Sequence, residues 1–184
     1  EVITGWGRTG APFAAQAFDV TPDIITMAKG ITNGVMPLGA VASREKIYDT
    51  ILEASPTGAV EFFHGYTYSA IPPSIAAGLA MQDIIEKENL FQRSKDMSPY
   101  FIEGLFSLKD IDIITDIRGY GMLGGIDIRF DERPGKAGYA CFKKLFEAGL
   151  SLKATGDCLI VAPPFICEKE HIDEIIEKLR TGIT

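Results

Sequence analysis

Lys29 stands where a reactive amine is expected: it follows the short apolar run Ile24-Ile-Thr-Met-Ala28 and is followed at once by Gly30. A lysine closing a strand whose other side chains want burial is expected to be partly desolvated. Burial disfavours the charged form, so the amine can meet a carbonyl in its neutral state and form a Schiff base. The same residues also suit a lysine that ends a strand and extends its ammonium into water. The surrounding sequence decides between the two.

Other chemistries find less support. Gly119-Tyr-Gly121-Met-Leu-Gly124 satisfies G-x-G-x-x-G, but the dinucleotide fingerprint needs its last glycine to open a helix, and here a strand is expected to follow. The glycines are read instead as shaping a hairpin turn. His64 and His171 are far apart, lack nearby Cys or clustered carboxylates, and make no metal constellation. Ser69 and Ser74 lack a nucleophile elbow. Arg8, within Gly7-Arg8-Thr9-Gly10, suits a loop-bracing arginine bonded to backbone carbonyls better than an anion site.

The elements that must position Lys29 follow from periodicity. Residues 1–95 alternate glycine-punctuated apolar runs with helical stretches over 43–53 and 73–86, which is the pattern of an α/β unit. Ile75 and Leu79 share a face of the second stretch, and Ala76, Ala77, Gly78 and Ala80 would let it pack closely on a sheet. A third helix is expected over 91–108, with a domain boundary near 95/96. Residues 96–184 then read as an α+β unit: strands over 111–118 and 124–130, a helix over 138–148, a strand over 159–162, and a closing helix over 168–179 with Ile172, Ile175, Ile176 and Leu179 on one face. Glu1-Val-Ile-Thr4 is expected to be the middle of a strand.

Three stretches carry a resemblance: Glu1 to Gly10, Asp23 to Val41 around Lys29, and Phe62-Phe-His64-Gly-Tyr-Thr67-Tyr-Ser69. Together they resemble the class III pyridoxal-phosphate aminotransferases, and the last is similar to the omega-amino acid:pyruvate (β-alanine:pyruvate) branch. The resemblance covers essentially the whole chain. It implies an α/β, fold-type I pyridoxal-phosphate-dependent transferase, with residues 1–95 as the second part of the large cofactor-binding domain and 96–184 as the small C-terminal domain. It implies that Lys29 binds pyridoxal 5'-phosphate covalently and shuttles the substrate proton, that Val2 packs on one face of the pyridine ring, and that Thr67 binds the cofactor phosphate of a neighbouring subunit, so that the enzyme is at least a homodimer. Lys153, in Leu152-Lys153-Ala-Thr-Gly156-Asp157, stands where family members that bind a carboxylate carry arginine. A lysine keeps the charge and loses the planar two-point fork.

The implied reaction moves an amino group from an ω-amino acid or amine to pyruvate or another 2-oxo acid. A γ-aminobutyrate or ornithine aminotransferase, or an aminomutase, remains open within the same family. The residue that pairs with the pyridine nitrogen would immediately precede Glu1, so the chain is read as the C-terminal portion of a longer enzyme and is expected to be inactive alone. A noncatalytic, self-associating piece is the alternative of a different class.

Composition fits this reading. The 184 residues are 46% hydrophobic, long enough for one good core or two smaller ones, and carry a net charge of −7 with no basic stripe, which argues against a nucleic-acid partner. No apolar run is long enough to span a bilayer. Cys141, Cys158 and Cys167 are odd in number and lack C-x-x-C spacing, which argues against a disulfide framework or a zinc site and for reduced thiols in the cytoplasm.

Overall fold

A computed structural model describes residues 1–59, 65–129 and 133–183. The chain divides into two compact units: Glu1–Trp6 with Pro12–Asn89, and Gly7–Ala11 with the residues from Leu90 onward. The division at 89/90 coincides with Asn89 in the left-handed region (φ +49°) between two helices. The boundary expected at 95/96 lies inside the second of those helices.

In the first unit, the expected strand over Glu1–Thr4 is a turn instead. A strand needs a neighbour to satisfy its backbone, whereas here the Gly5 amide donates back to Glu1 O at 3.1 Å. The Glu1 carboxylate turns the other way and accepts the amides of Ala14 (2.9 Å) and Ala15 (2.7 Å) at the start of α1 (Ala14–Ala17). Strand β1 (Ile24–Met27) pairs antiparallel with β2 (Ala40–Ser43), from Ile24 opposite Ser43 to Met27 opposite Ala40. Helix α2 covers Glu45–Ala54. Helix α3 (Pro72–Lys87) opens on prolines, whose missing N–H groups fall where a helix has no acceptor for them.

The face that α3 buries differs from the one expected. Ile75 and Leu79 are exposed, while Ser74 and Gly78 are buried against the segment 31–38: Ser74 Oγ donates to Pro37 O at 2.9 Å, and a methyl added at Gly78 would lie 3.5 Å from Ile31 O. Small residues win this face because they admit backbone, which larger side chains would hold off.

The second unit has its own core. Helix α4 (Leu90–Phe106) leads through a short 3-10 turn into β3 (Ile114–Tyr120) and β4 (Leu123–Ile128), followed by α5 (Lys136–Glu147), β5 (Lys153–Thr155), β6 (Cys158–Val161) and α6 (Lys169–Ile183). The four strands form one antiparallel sheet in the order β3-β4-β6-β5. Alternation sends Ile126, Ile128, Leu159 and Val161 to one face, where they join Phe101, Leu105, Met122, Leu145, Ile172 and Leu179 in a fully buried cluster. Strand β5 escaped the sequence reading because three residues are too few to show alternation. The expected strand end at Phe130 lies outside the described residues.

Glycine is required where β4 meets α4, since a methyl on Gly124 would collide with Leu105. The G-x-G-x-x-G stretch is the β3–β4 hairpin, with Gly121 in the left-handed region (φ +62°) and no helix after it. Asp157, between β5 and β6, accepts the amides of Gly135 (2.6 Å) and Gly138 (2.9 Å), which satisfies donors left free at the start of α5.

Candidate functional site

The Lys29 turn is a constrained piece of backbone in the first unit. Ala28 is fully extended, Lys29 then adopts a left-handed φ of +49°, and a single 3-10 turn (Lys29–Ile31) follows, held by Ile31 N–H to Ala28 O and Thr32 N–H to Lys29 O, both at 3.3 Å. Left-handed non-glycine residues are costly and cluster where function fixes the backbone. Thr32 is buried and donates from Oγ1 to Met36 O at 2.6 Å, so the far side of the turn is tied down. From the other side comes Trp6, against which Gly30 lies so closely that an added methyl would sit 2.6 Å from Trp6 Cβ.

The Lys29 side chain is exposed. The expected partial desolvation is therefore not provided by this chain's described residues: β1 ends at Met27, two residues earlier, and the left-handed turn carries Lys29 off the strand. The Lys29 side chain has no ion pair or hydrogen bond among the described residues. Its amine is thus available to a ligand.

Val2 is exposed, within the turn that Glu1 anchors. That carboxylate is part-buried, which works to raise its pKa; the Thr4 hydroxyl (2.6 Å) and the Ala15 and Ala14 amides outweigh burial and hold it below the usual carboxylate range. Thr67 is also exposed, in a turn over residues 67–70. His64 and the Phe62-Phe63 pair lie outside the described residues. Lys153, in the second unit, opens the edge strand β5 opposite Ile160 and is exposed without an ion-pair partner among the described residues. Lys29, Val2 and Thr67 thus share the first unit, and Lys153 belongs to the second.

Arg8 braces its loop, as its sequence setting suggested: Nη1 donates to Met122 O (2.9 Å) and Pro163 O (2.6 Å), and the guanidinium lies 4.4 Å from the Phe165 ring centre. Burial pulls its pKa down to about 10. Burial also pushes the thiols of Cys141, Cys158 and Cys167 up, so none is activated as a nucleophile, and all three are free. His171 serves α6, its Nδ1 accepting the Glu168 amide at 3.1 Å. Among the described residues no cluster of three metal-ligating side chains forms, and no helix is long and apolar enough to cross a membrane.

Sequence reasoning missed two contributors, Glu1 as the anchor of the Val2 turn and Trp6 as the wall of the Lys29 turn. The available signal for Trp6 was that this lone tryptophan of the chain lies between two glycines.

Residues 1–183 match the family "Aminotransferase class-III", and the chain belongs to that family. It is 44% identical over 183 residues to an omega-aminotransferase of Caulobacter vibrioides, covering 98% of this chain and 41% of that protein. It is 42% identical to the beta-alanine–pyruvate aminotransferase of Pseudomonas aeruginosa, covering 96% and 40%. Among solved structures, a transaminase with L-alanine superposes with a TM-score of 0.92 at 31% identity, over 100% of this chain and 45% of that one. The chain thus has the α/β fold of fold-type I pyridoxal-phosphate-dependent transferases, over a span of about 40% of its curated relatives' length.

Class III aminotransferases are pyridoxal-phosphate enzymes, and the donor set of this chain fits that group. A primary amine without a side-chain partner among the described residues is held on a fixed turn, and the Thr67 hydroxyl is exposed.

Proposed function

We propose that this chain serves a transamination in which an amino group passes from an ω-amino acid or amine to pyruvate or another 2-oxo acid, within a protein of its relatives' full length. The observation that carries the proposal is Lys29: an unpaired amine on a left-handed turn, in a chain of the class III family. Identities of 42–44% to relatives named for omega-amino acid or β-alanine chemistry favour that substrate class.

Bound pyridoxal phosphate supplies the electron sink that stabilises charge on the substrate carbon. The protein supplies position. Lys29 Nζ would hold the cofactor through its aldehyde carbon and, as general base, would carry the proton from the substrate carbon bearing the amine to that former aldehyde carbon. The φ of Lys29 sets the direction in which its side chain leaves the backbone. Val2 offers an apolar surface to the ring, and the Thr67 hydroxyl takes a phosphate oxygen on a neighbouring subunit, which requires at least a homodimer. Residues 1–95 form part of the cofactor-binding domain in this reading, and 96–184 the small domain. Lys153 holds the substrate carboxylate by charge alone, with less directional grip than an arginine fork. The three free thiols suit a reducing cytoplasm.

The test is incubation with pyridoxal phosphate, borohydride reduction and peptide mapping, followed by a pyruvate-dependent assay with β-alanine, in a polypeptide of the relatives' full length. A reduced adduct at Lys29 with turnover is expected. No adduct at Lys29 would overturn the reading and leave a noncatalytic member of the family.

A further inference from the structure

Trp6 lies on neither strand nor helix, yet its placement is tightly specified. Its own φ is +65°, a left-handed value that an indole-bearing residue adopts only under constraint. Its amide donates to Pro12 O at 2.7 Å, and its ring meets Phe13 at 5.4 Å between centroids, tilted by 60°. Its side chain also meets Gly30. A methyl built there would come within 2.6 Å of Trp6 Cβ and 2.9 Å of both Cγ and Cδ1, distances at which carbon atoms cannot coexist. The Trp6 side chain and the Gly30 backbone are therefore in direct contact, one peptide from the Lys29 α-carbon.

Two left-handed residues, Trp6 and Lys29, thus meet across one glycine. The 3-10 bonds of the Lys29 turn are long at 3.3 Å and do not by themselves hold a strained φ. Thr32 and Met36 close the turn on its C-terminal side, and the Lys29 side chain carries no bond among the described residues. The indole is the remaining wall. Without it, the Lys29–Gly30 peptide would be free to rotate toward an ordinary φ and swing Nζ away.

We propose that Trp6 is a positioning residue for Lys29: its side chain, in contact with both Phe13 and Gly30, fixes the left-handed turn that presents the lysine amine. The inference rests on the reading of Lys29 as the cofactor-binding lysine. It also accounts for Gly30, which is needed for the contact and not only for backbone freedom.

The test compares Trp6→Gly, Trp6→Phe, Gly30→Ala and the double variant Trp6→Gly/Gly30→Ala in the full-length polypeptide. Glycine tolerates the positive φ at position 6, so Trp6→Gly removes the ring without adding backbone strain. Each protein is treated briefly with pyridoxal 5'-phosphate and reduced with borohydride. The yield at Lys29 relative to Lys46, on the surface of α2, is then read by peptide mapping beside a thermal melt.

We expect Trp6→Gly and Gly30→Ala each to lower the Lys29 to Lys46 ratio by roughly ten- to a hundredfold, the range set by misplacing a reactive group by about an ångström. Trp6→Phe should retain most of the wild-type ratio. The double variant should recover part of the Gly30→Ala loss, because the new methyl then has room. A merely structural role would lower the melting temperature and leave the ratio unchanged. A wild-type ratio in Trp6→Gly overturns the proposal. If Trp6→Gly does not fold, a wild-type ratio in folded Gly30→Ala overturns it instead. If the wild-type protein itself shows no preference for Lys29, the functional reading fails; if it does and the variants match it, only the role of Trp6 fails.

Discussion

The two units of the chain divide chemistry and cohesion between them. The first holds Lys29, Val2 and Thr67, yet Ile85 is its one buried large hydrophobic side chain among the described residues, while Val20, Val41 and Leu79 stand more than half exposed. The second holds Lys153 at an edge and surrounds a cluster in which Phe101, Leu105, Met122, Leu145 and Ile172 have no exposure at all. Burial at about 25 cal/mol per Å² of apolar surface is what stabilises a folded unit, so the second unit has the means to hold itself together, while within this chain, which spans about 40% of its relatives' length, the first is held by local ties. Those ties are the Glu1 carboxylate on α1, the Thr32 and Ser74 hydroxyls on backbone carbonyls, and the Trp6 contact with Gly30.

The sharpest way to break this comparison is at Lys29. Lys29→Arg keeps the charge and removes the primary amine, so covalent attachment of pyridoxal phosphate at this position should vanish entirely. Because the side chain is exposed and unpaired, stability should change by no more than about 0.5 kcal/mol. Borohydride trapping and a urea titration check the two halves of this expectation.

The next contrast sets core against surface. Leu145→Ala in the second unit should cost about 2–5 kcal/mol through lost burial and the cavity left behind, whereas Leu79→Ala on the exposed side of α3 should cost within about 0.5 kcal/mol. Equal losses in urea midpoints would sink the division drawn here. Asp157→Ala should cost about 1–3 kcal/mol, since two amides at the start of α5 lose a charged acceptor. Faster hydrogen exchange at Gly135 and Gly138 would locate the loss.

The smallest effect is acidic. Arg118 is hydrogen-bonded to Asp127, and this outweighs burial to hold the Asp127 carboxyl below its ordinary value of 3.8. A carboxylate whose folded pKa is depressed contributes stability that is complete above the unfolded value and lost as pH falls through the folded one. Arg118→Met should therefore be slightly less stable than wild type at neutral pH, with the gap closing below pH 3.8. The pair is largely exposed, so a gap that persists unchanged into acid would point to lost packing rather than charge.

Elements with a strong period were readable in advance. The helices at 45–54, 72–87, 90–106, 136–147 and 169–183 fall within a few residues of the expected stretches, because a helical period and its flanking breakers mark a helix even where they do not say which face is buried. Glu1–Thr4 misled because β-branched residues favour a strand only when another strand is there to pair with, and the Glu1 side chain chose helix amides instead. Ile75 and Leu79 misled for a related reason: a helix can bury its small residues, and only the shape of the opposing segment 31–38 decides that it does. The position of Lys29 just after a strand was legible from its neighbours in sequence. Its left-handed turn and the indole against it were not, since 23 positions separate Trp6 from Lys29 and nothing in the spacing brings them together.

The second unit is not one continuous stretch of polypeptide. The five residues Gly7–Ala11 belong to it, held by Arg8 on the carbonyls of Met122 and Pro163 and by the buried Ser94 hydroxyl on Gly7 O at 2.7 Å. Cutting the polypeptide at 89/90 would therefore not release a finished module: residues 90–184 excised alone would leave Ser94 with a buried, unanswered hydroxyl and two carbonyls stripped of their cation. A protease nick at that junction need not separate the pieces, because the first would still hold the second by a five-residue plug.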